Sequence, residues 1–193
     1  MVEEPDKSTR QIRRRRFDPD RRARIAEAAL EVIGERGIEG LTHRAVAQAA
    51  QVPVAGTTYH YRDKEELLAA ALELAVQRYE AVMSEIPRIR ARDRIQDIVD
   101  LTADALTACF TTERAVTTVQ LELYVAAIRR PALRPIADRF TAATRAMFGH
   151  YTDAETAELL TDAAQGITLR GIATDSPPSR DRIRSSLLRC VRA

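Results

Sequence analysis

Apolar residues recur along this chain in steps of three and four, and each such run is bounded by residues that start or stop helices. Ile25, Ala28, Ala29, Val32 and Ile33 predict a one-sided helix from about Asp20 to Arg36. Asp18 or Asp20 can cap it, with Pro19 at its start and Gly37 at its end; Gly40 lies in the turn that follows. Thr42 then suits the N-cap of a short helix that carries Val46, Ala47 and Ala50 on one face. Gln51, Val52 and Pro53 interrupt that pattern. Proline fits the first turn of a helix, so a second short helix is expected from Val54 to Tyr61, with Thr57, Thr58, Tyr59 and His60 exposed. Asp63 and Glu66 form a capping-box pattern that opens a long helix, Lys64 to Ile86. Its stripe of Leu67, Leu68, Ala71, Leu72, Ala75, Tyr79, Val82 and Met83 is too long to serve the small unit before it, and Pro87 is expected to end it.

From Arg92 four or five further helices are predicted. Ile95, Ile98, Val99, Thr102, Ala105, Leu106, Cys109 and Phe110 form one stripe, and Ala115, Val116, Val119, Leu123, Tyr124, Ala127 and Ile128 form the next. The chain breaks at Arg129-Arg130-Pro131. Leu133, Ile136, Ala137, Phe140, Met147, Phe148 and Tyr151 follow on a helix starting near Pro131. Thr152 or Asp153 caps a helix with Leu159, Leu160, Ala163, Ala164, Ile167 and Ile172, weakened near its end by Gly171. Thr174 to Ser179 reads as a loop, and Ile183, Leu187, Leu188 and Val191 mark a final helix. The fold class is therefore all-α, with about nine helices.

Composition agrees with this. Hydrophobic residues make up 45% of the 193, enough for a core, while glycine is scarce and tryptophan absent. No alternating β-branched run argues for a strand, and no stretch approaches the ~18 uninterrupted apolar residues of a membrane span. The N-terminus is charged from Glu3 onward without a signal-peptide core, so a cytoplasmic location and no membrane partner are expected. Cys109 and Cys190 lie in apolar patterns and read as buried thiols.

The net charge of +2 is unevenly spread. From Arg10 to Arg24, eight arginines oppose two aspartates, a net of +6 that leaves −4 for the remainder. A basic end on a mildly acidic body suggests an anionic partner for that end. The expected organisation is a basic arm over residues 1–17, a DNA-binding unit over 18–63 and a helical body over 64–193.

Two short helices joined by a tight turn form a helix-turn-helix, whose second helix fits the major groove of DNA. Thr42, Arg44, Val46, Ala47, Val52, Thr58-Tyr59-His60-Tyr61 and Lys64-Glu65-Glu66-Leu67-Leu68 closely resemble the DNA-binding signature of the TetR family of bacterial transcriptional regulators. Gln51 stands where that signature usually has Gly, Pro53 where a Ser often caps, and Thr58 where a first Tyr is frequent. The resemblance implies a homodimer built from the last two helices. It also implies a palindromic double-stranded operator, a small-molecule effector and, as the usual mode, repression. A twofold dimer would present two recognition helices to half-sites ~34–36 Å apart.

Thr57 and Thr58 suit a thymine methyl or an acceptor on a base edge, and Val54 opens the same helix. Tyr59 and His60 suit phosphates, Arg44 a phosphate or a guanine, and Thr42 and Lys64 lie at helix N-termini that favour phosphate. Arg13, Arg14, Arg15 and Arg16 can follow the backbone or enter the minor groove. Tyr61 reads as core. An effector pocket is sought where polar or aromatic residues break apolar stripes: Thr107, Phe110, Gln120, Tyr124, Thr144, Met147, Gln165 and Thr168. Few charges occupy the inward faces, so a mainly apolar ligand is expected. No phosphate loop, metal-ligand spacing or catalytic constellation occurs, so no enzyme, metal or cofactor is expected. Two alternatives stay open: a regulator without an effector pocket, and a helical lipid-binding bundle with a basic arm.

Overall fold

The computed structural model describes residues 20–191; the arm arginines Arg13, Arg14, Arg15 and Arg16, with Asp18 and Pro19, lie outside that range. Nine α-helices occur among the described residues: α1 Arg21–Arg36, α2 His43–Ala49, α3 Val54–His60, α4 Lys64–Ile89, α5 Ile95–Cys109, α6 Arg114–Arg129, α7 Arg134–Gly149, α8 Ala154–Ala173 and α9 Arg180–Val191. Single 3₁₀ turns at Ile38–Gly40 and Pro131–Leu133 follow α1 and α6.

The polar punctuation of the sequence sets these boundaries. The Thr42 side chain accepts the Ala45 amide at 3.1 Å, Asp63 accepts the Glu66 amide and Asp153 the Thr156 amide, each at 2.9 Å. Each of these bonds satisfies an amide that the first helical turn leaves unpaired, a stabilisation of about 1 kcal/mol. Ahead of α5 the Asp97 carboxylate accepts the Arg94 amide at 2.9 Å, and the helix begins at Ile95, the first residue of its apolar stripe.

The expected stop at Pro87 is corrected: α4 runs through it to Ile89. Proline removes one hydrogen bond, to the carbonyl of Met83, and near a helix end that loss is small beside the bonds still made. The Arg90 amide donates to Ile86 O at 2.8 Å, and the Tyr151 hydroxyl lies 3.4 Å from both Ile86 O and Arg90 O, bracing the last turn.

Two hydrophobic clusters fill the interior. The first joins Ile25, Val32 and Ile33 of α1 to Val46, Leu67, Leu68, Leu72 and Val76, and then to Val119 and Leu123 of α6 and Ala137 and Phe140 of α7. Burying side chains of this size stabilises the fold by roughly 1.5–3 kcal/mol each. This cluster does not divide at residues 63 and 64, where the sequence places a boundary. Close approach allows the join: a methyl group on Gly34 of α1 would sit 3.4 Å from the Ala115 carbonyl oxygen of α6. The second cluster holds Ile98, Val99, Leu106, Phe148, Leu160, Ile167, Ile183 and Leu187, with Met83 and Ile86 of α4 packed against it. Helix α4 thus starts in one cluster and ends in the other.

Ion pairs fix the long elements relative to one another. Arg139 of α7 grips α4 at two points, 2.6 Å from Glu73 and 2.7 Å from Glu80. Arg180 and Arg184 of α9 pair with Asp104 and Asp100 of α5. No helix among the described residues is long and apolar enough to cross a membrane.

Candidate DNA-binding surface and effector cavity

The recognition helix α3 is short, and its neighbours decide what each residue can do. Tyr59 is 84% exposed and Val54 46%, while Thr42, Arg44 and Thr58 are also exposed and His60 and Lys64 are half-buried. Tyr59 and His60 meet edge to face, ring centroids 5.1 Å apart. The hydroxyl of Thr58 has only loose bonds to its own helix, 3.3 Å to Ala55 O and 3.5 Å to Val54 O, so it can turn to an outside partner.

Thr57 is the correction here. It is fully buried, so it is no DNA contact on the outer face of α3. Its hydroxyl donates to Val54 O at 2.8 Å and lies 3.1 Å from Nδ1 of His43. With that proton committed to Val54, the oxygen accepts from a protonated Nδ1, and the bond ties α3 to α2. The other ring nitrogen of His43 is buried without a partner among the described residues.

Tyr61 lies in the core as expected. Its hydroxyl donates to Arg22 O at 2.9 Å, the Arg22 guanidinium covers its ring at 4.8 Å, and burial pushes the phenol above its ordinary value. Gln51, at the turn between α2 and α3, has φ +54°. That is the left-handed region, where a side chain is strained and glycine is not.

Five helices of the body line an open cavity of about 630 Å³. Tyr79, Met83 and Ile86 of α4 form one wall, facing Leu106 and Cys109 of α5, Tyr124, Val125 and Ile128 of α6, Met147 and Phe148 of α7, and Leu169 of α8. Of the residues sought from sequence, Gln120, Tyr124, Thr144, Met147, Gln165 and Thr168 line it. Thr107 and Phe110 do not line it. Thr107 donates to the Ala103 carbonyl at 2.7 Å, and the Phe110 ring lies over Gly171, where a methyl group would come within 2.1 Å of it. Tyr79 and Asp162, both lining residues, are not among the residues sought.

Polar groups within the cavity are mostly spoken for, which shows what remains. Thr144 donates to Phe140 O at 3.1 Å, so Tyr79, 2.8 Å away, donates to Thr144. The Gln165 amide nitrogen donates to Tyr124 at 3.3 Å and Thr141 at 3.1 Å, and those two hydroxyls are 3.0 Å apart. This arrangement leaves the Gln165 Oε1 and the lone pairs of Tyr79 as acceptors. Burial pushes the Tyr79, Tyr124 and Cys109 groups above their ordinary values, so all three stay neutral at physiological pH. Among the described residues, Asp162 is the one charged side chain on the lining, and no Arg, Lys or His lines the cavity.

Comparison with known proteins agrees with both halves. Residues 25–86 match the family described as bacterial regulatory proteins, tetR family, and residues 93–193 match the tetracyclin repressor-like C-terminal domain. The regulator BetI of Burkholderia thailandensis is 34% identical over 79 residues, 37% of this chain and 40% of BetI. PksA of Bacillus subtilis is 38% identical over 73 residues, 38% of this chain and 34% of PksA, so each match spans less than half of the relative. Solved structures match along nearly their full length. A TetR-family member of Streptomyces coelicolor A3, SCO1917, is 37% identical with TM-score 0.75, covering 89% of this chain and 98% of that one. The multidrug binding protein EbrR, complexed with ethidium, is 38% identical with TM-score 0.76, covering 90% and 99%. With its helix-turn-helix and its C-terminal helical body both matched, the chain belongs to the TetR family of bacterial transcriptional regulators.

Proposed function

We propose that this protein is a cytoplasmic repressor that binds a palindromic operator as a homodimer and leaves it when a flat, mainly apolar, positively charged effector fills the body. The observation that carries the effector half is the cavity: aromatic, aliphatic and methionine walls with one carboxylate, Asp162, and no cation. Tyrosine faces attract cations, and the exposed Asp162 carboxylate on the lining adds to that attraction. The related EbrR has been solved with proflavin, with ethidium and with malachite green. A regulator without an effector has no use for such a space.

In this reading Thr42, Arg44, Tyr59, His60 and Lys64 hold phosphates, and Val54 and Thr58 meet base edges. Arg13, Arg14, Arg15 and Arg16 add backbone affinity. The dimer forms through α8 and α9. Leu159 of α8 is exposed and lies off the cavity lining, so it is available to a symmetry mate. The switch is a population shift. Effector and operator favour different spacings of the two recognition helices, and α4 carries the difference because its two ends lie in different clusters. Coupling of this kind is typically ~1–3 kcal/mol and acts equally in both directions.

The test is fluorescence anisotropy with DNA from upstream of the protein's own coding region, against random duplex, with and without ethidium. Preferential binding by one dimer, weakened several-fold by ethidium, is expected, and Asp162→Asn should blunt that weakening, which intercalation of ethidium into the duplex would not show. Equal binding to both duplexes overturns the operator reading at that locus, and ethidium binding that leaves operator affinity unchanged overturns the switch.

A further inference from the structure

We infer that the corner between α6 and α7 is a second DNA contact, one that holds the phosphate backbone of the duplex flanking each half-site. The inference rests on the operator-binding reading above. It begins with a local excess of charge: from Leu123 to Ala137 the chain contains no acidic residue and three arginines, Arg129, Arg130 and Arg134. A single 3₁₀ turn, Pro131–Leu133, brings all three together, at the end of α6 and the start of α7.

The corner belongs to the DNA-binding half of the molecule although it lies far from it in sequence. Leu133 is 4% exposed and packs in the first cluster with Ala126 and Ala127, so the turn is anchored beside α1 and α4. Arg130 Nε donates to the Glu65 carboxylate at 3.0 Å. Glu65 directly follows Lys64, the first residue of α4, and only Tyr61, Arg62 and Asp63 separate α4 from the recognition helix. The arginine corner therefore sits at the end of α4 from which the recognition helix departs.

Arg130 is committed to Glu65, whereas Arg129 and Arg134 are exposed and have no ion pair or hydrogen bond among the described residues. Two uncommitted guanidinium groups on a rigid turn, next to a lysine at a helix N-terminus, match a sugar–phosphate backbone. The fork geometry of Arg pairs two phosphate oxygens at once, and the Glu65 carboxylate of α4 is already paired with Arg130. The corner packs with residues of α1 and α4, and its one ion pair is to α4, so the phosphates assigned to it lie outside the bases that the recognition helix reads.

The test compares two duplexes carrying an operator that the wild-type full-length protein selects from a random pool. One ends at the outermost base pair of each half-site and the other extends about ten base pairs, one helical turn, on either side. Anisotropy across a salt series gives the slope of log affinity against log salt for wild type, R129Q/R134Q and R129K/R134K. Two phosphates per subunit are four per dimer, so the glutamine variant should flatten the slope by about 3–4 on the extended duplex. It should leave the slope on the short duplex unchanged, and the lysine variant should keep most of the wild-type slope on both. Circular dichroism and thermal unfolding show that each variant is folded. Unchanged slopes on both duplexes overturn the proposal and return the corner to another acidic partner. Equal flattening on both overturns its flanking position. A wild-type protein that selects no sequence fails earlier, at the operator reading itself, and removes the flank with it.

Discussion

His43 and Thr57 stand fourteen residues apart and share a 3.1 Å hydrogen bond that joins the two short helices of the DNA-binding unit. The bond gives Thr57 a structural task and leaves Thr58, Tyr59 and Val54 to face outward. Thr57→Val keeps the side-chain shape but removes the acceptor, so it should destabilise the protein by about 1–3 kcal/mol. Tyr59→Ala should do the reverse, leaving stability within ~0.5 kcal/mol and lowering operator affinity. Thermal unfolding and DNA titration of the two variants separate these effects. A Thr57→Val protein that unfolds at the wild-type temperature would remove the structural role.

Gln51 holds a left-handed conformation in the turn that sets the angle between α2 and α3. Gln51→Gly relieves that strain and in return loosens the unfolded chain, for a net gain of up to about 1 kcal/mol. The expected result is a melting temperature higher by a few degrees, with operator affinity unchanged or improved.

Asp162 is the charged residue on the cavity lining. Asp162→Asn preserves shape and removes an exposed charge, so ethidium affinity should fall about two- to fivefold, which corresponds to ~0.4–1 kcal/mol. Affinity for a neutral aromatic compound of similar size should change little. Equal loss for both would show that Asp162 shapes the site instead of attracting charge.

The Phe110 ring fills the space beside Gly171. Gly171→Ala forces the ring to move and should cost about 1–3 kcal/mol by overpacking. Pairing it with Phe110→Leu should cost less than the two single changes together, since the smaller side chain makes room for the methyl. Strict additivity in denaturant unfolding would rule out the clash as the cause.

Two helix caps make stability depend on acid. The Glu66 amide, and then the Arg62 side chain, hold the Asp63 carboxyl below its ordinary range; the Thr156 amide and hydroxyl do the same for Asp153. A lowered folded value means that the contribution is complete above the unfolded value of ~4 and is lost as pH falls through the folded value. Asp63→Asn/Asp153→Asn keeps an accepting oxygen that does not titrate. The gap in melting temperature between wild type and this variant should therefore narrow from about pH 5 down to about pH 2. A gap that holds constant over that range would refute the linkage.

Most of the helices were legible because each apolar stripe faces one interior, and periodicity reports that directly. Faces of very short helices were not. On a seven-residue helix Thr57 and Thr58 differ by one position, and what buries Thr57 is a histidine on another helix. Pro87 misled for a different reason: a missing amide matters in mid-helix and little in the last turn. The cavity was partly legible. Searching for polar breaks in apolar stripes reached Gln120 and Gln165 but passed over Tyr79, which belongs to a stripe, and Asp162, which lies on a polar face. A cavity forms where five helices fail to meet, and no single stripe records that failure.

The first hydrophobic cluster, shared by α1, α2 and α4 with α6 and α7, makes the DNA-reading part of this regulator a poor candidate for transplantation. Cut free after Asp63, it would lose Leu67, Leu68 and Leu72 as well as Val119, Leu123 and Phe140, and expose the surface they cover. A chimera that joined it to a foreign sensor would have to carry those positions along, or find replacements of matching shape. Operator choice and effector choice are in that sense inherited together, because α4 is packed into both clusters.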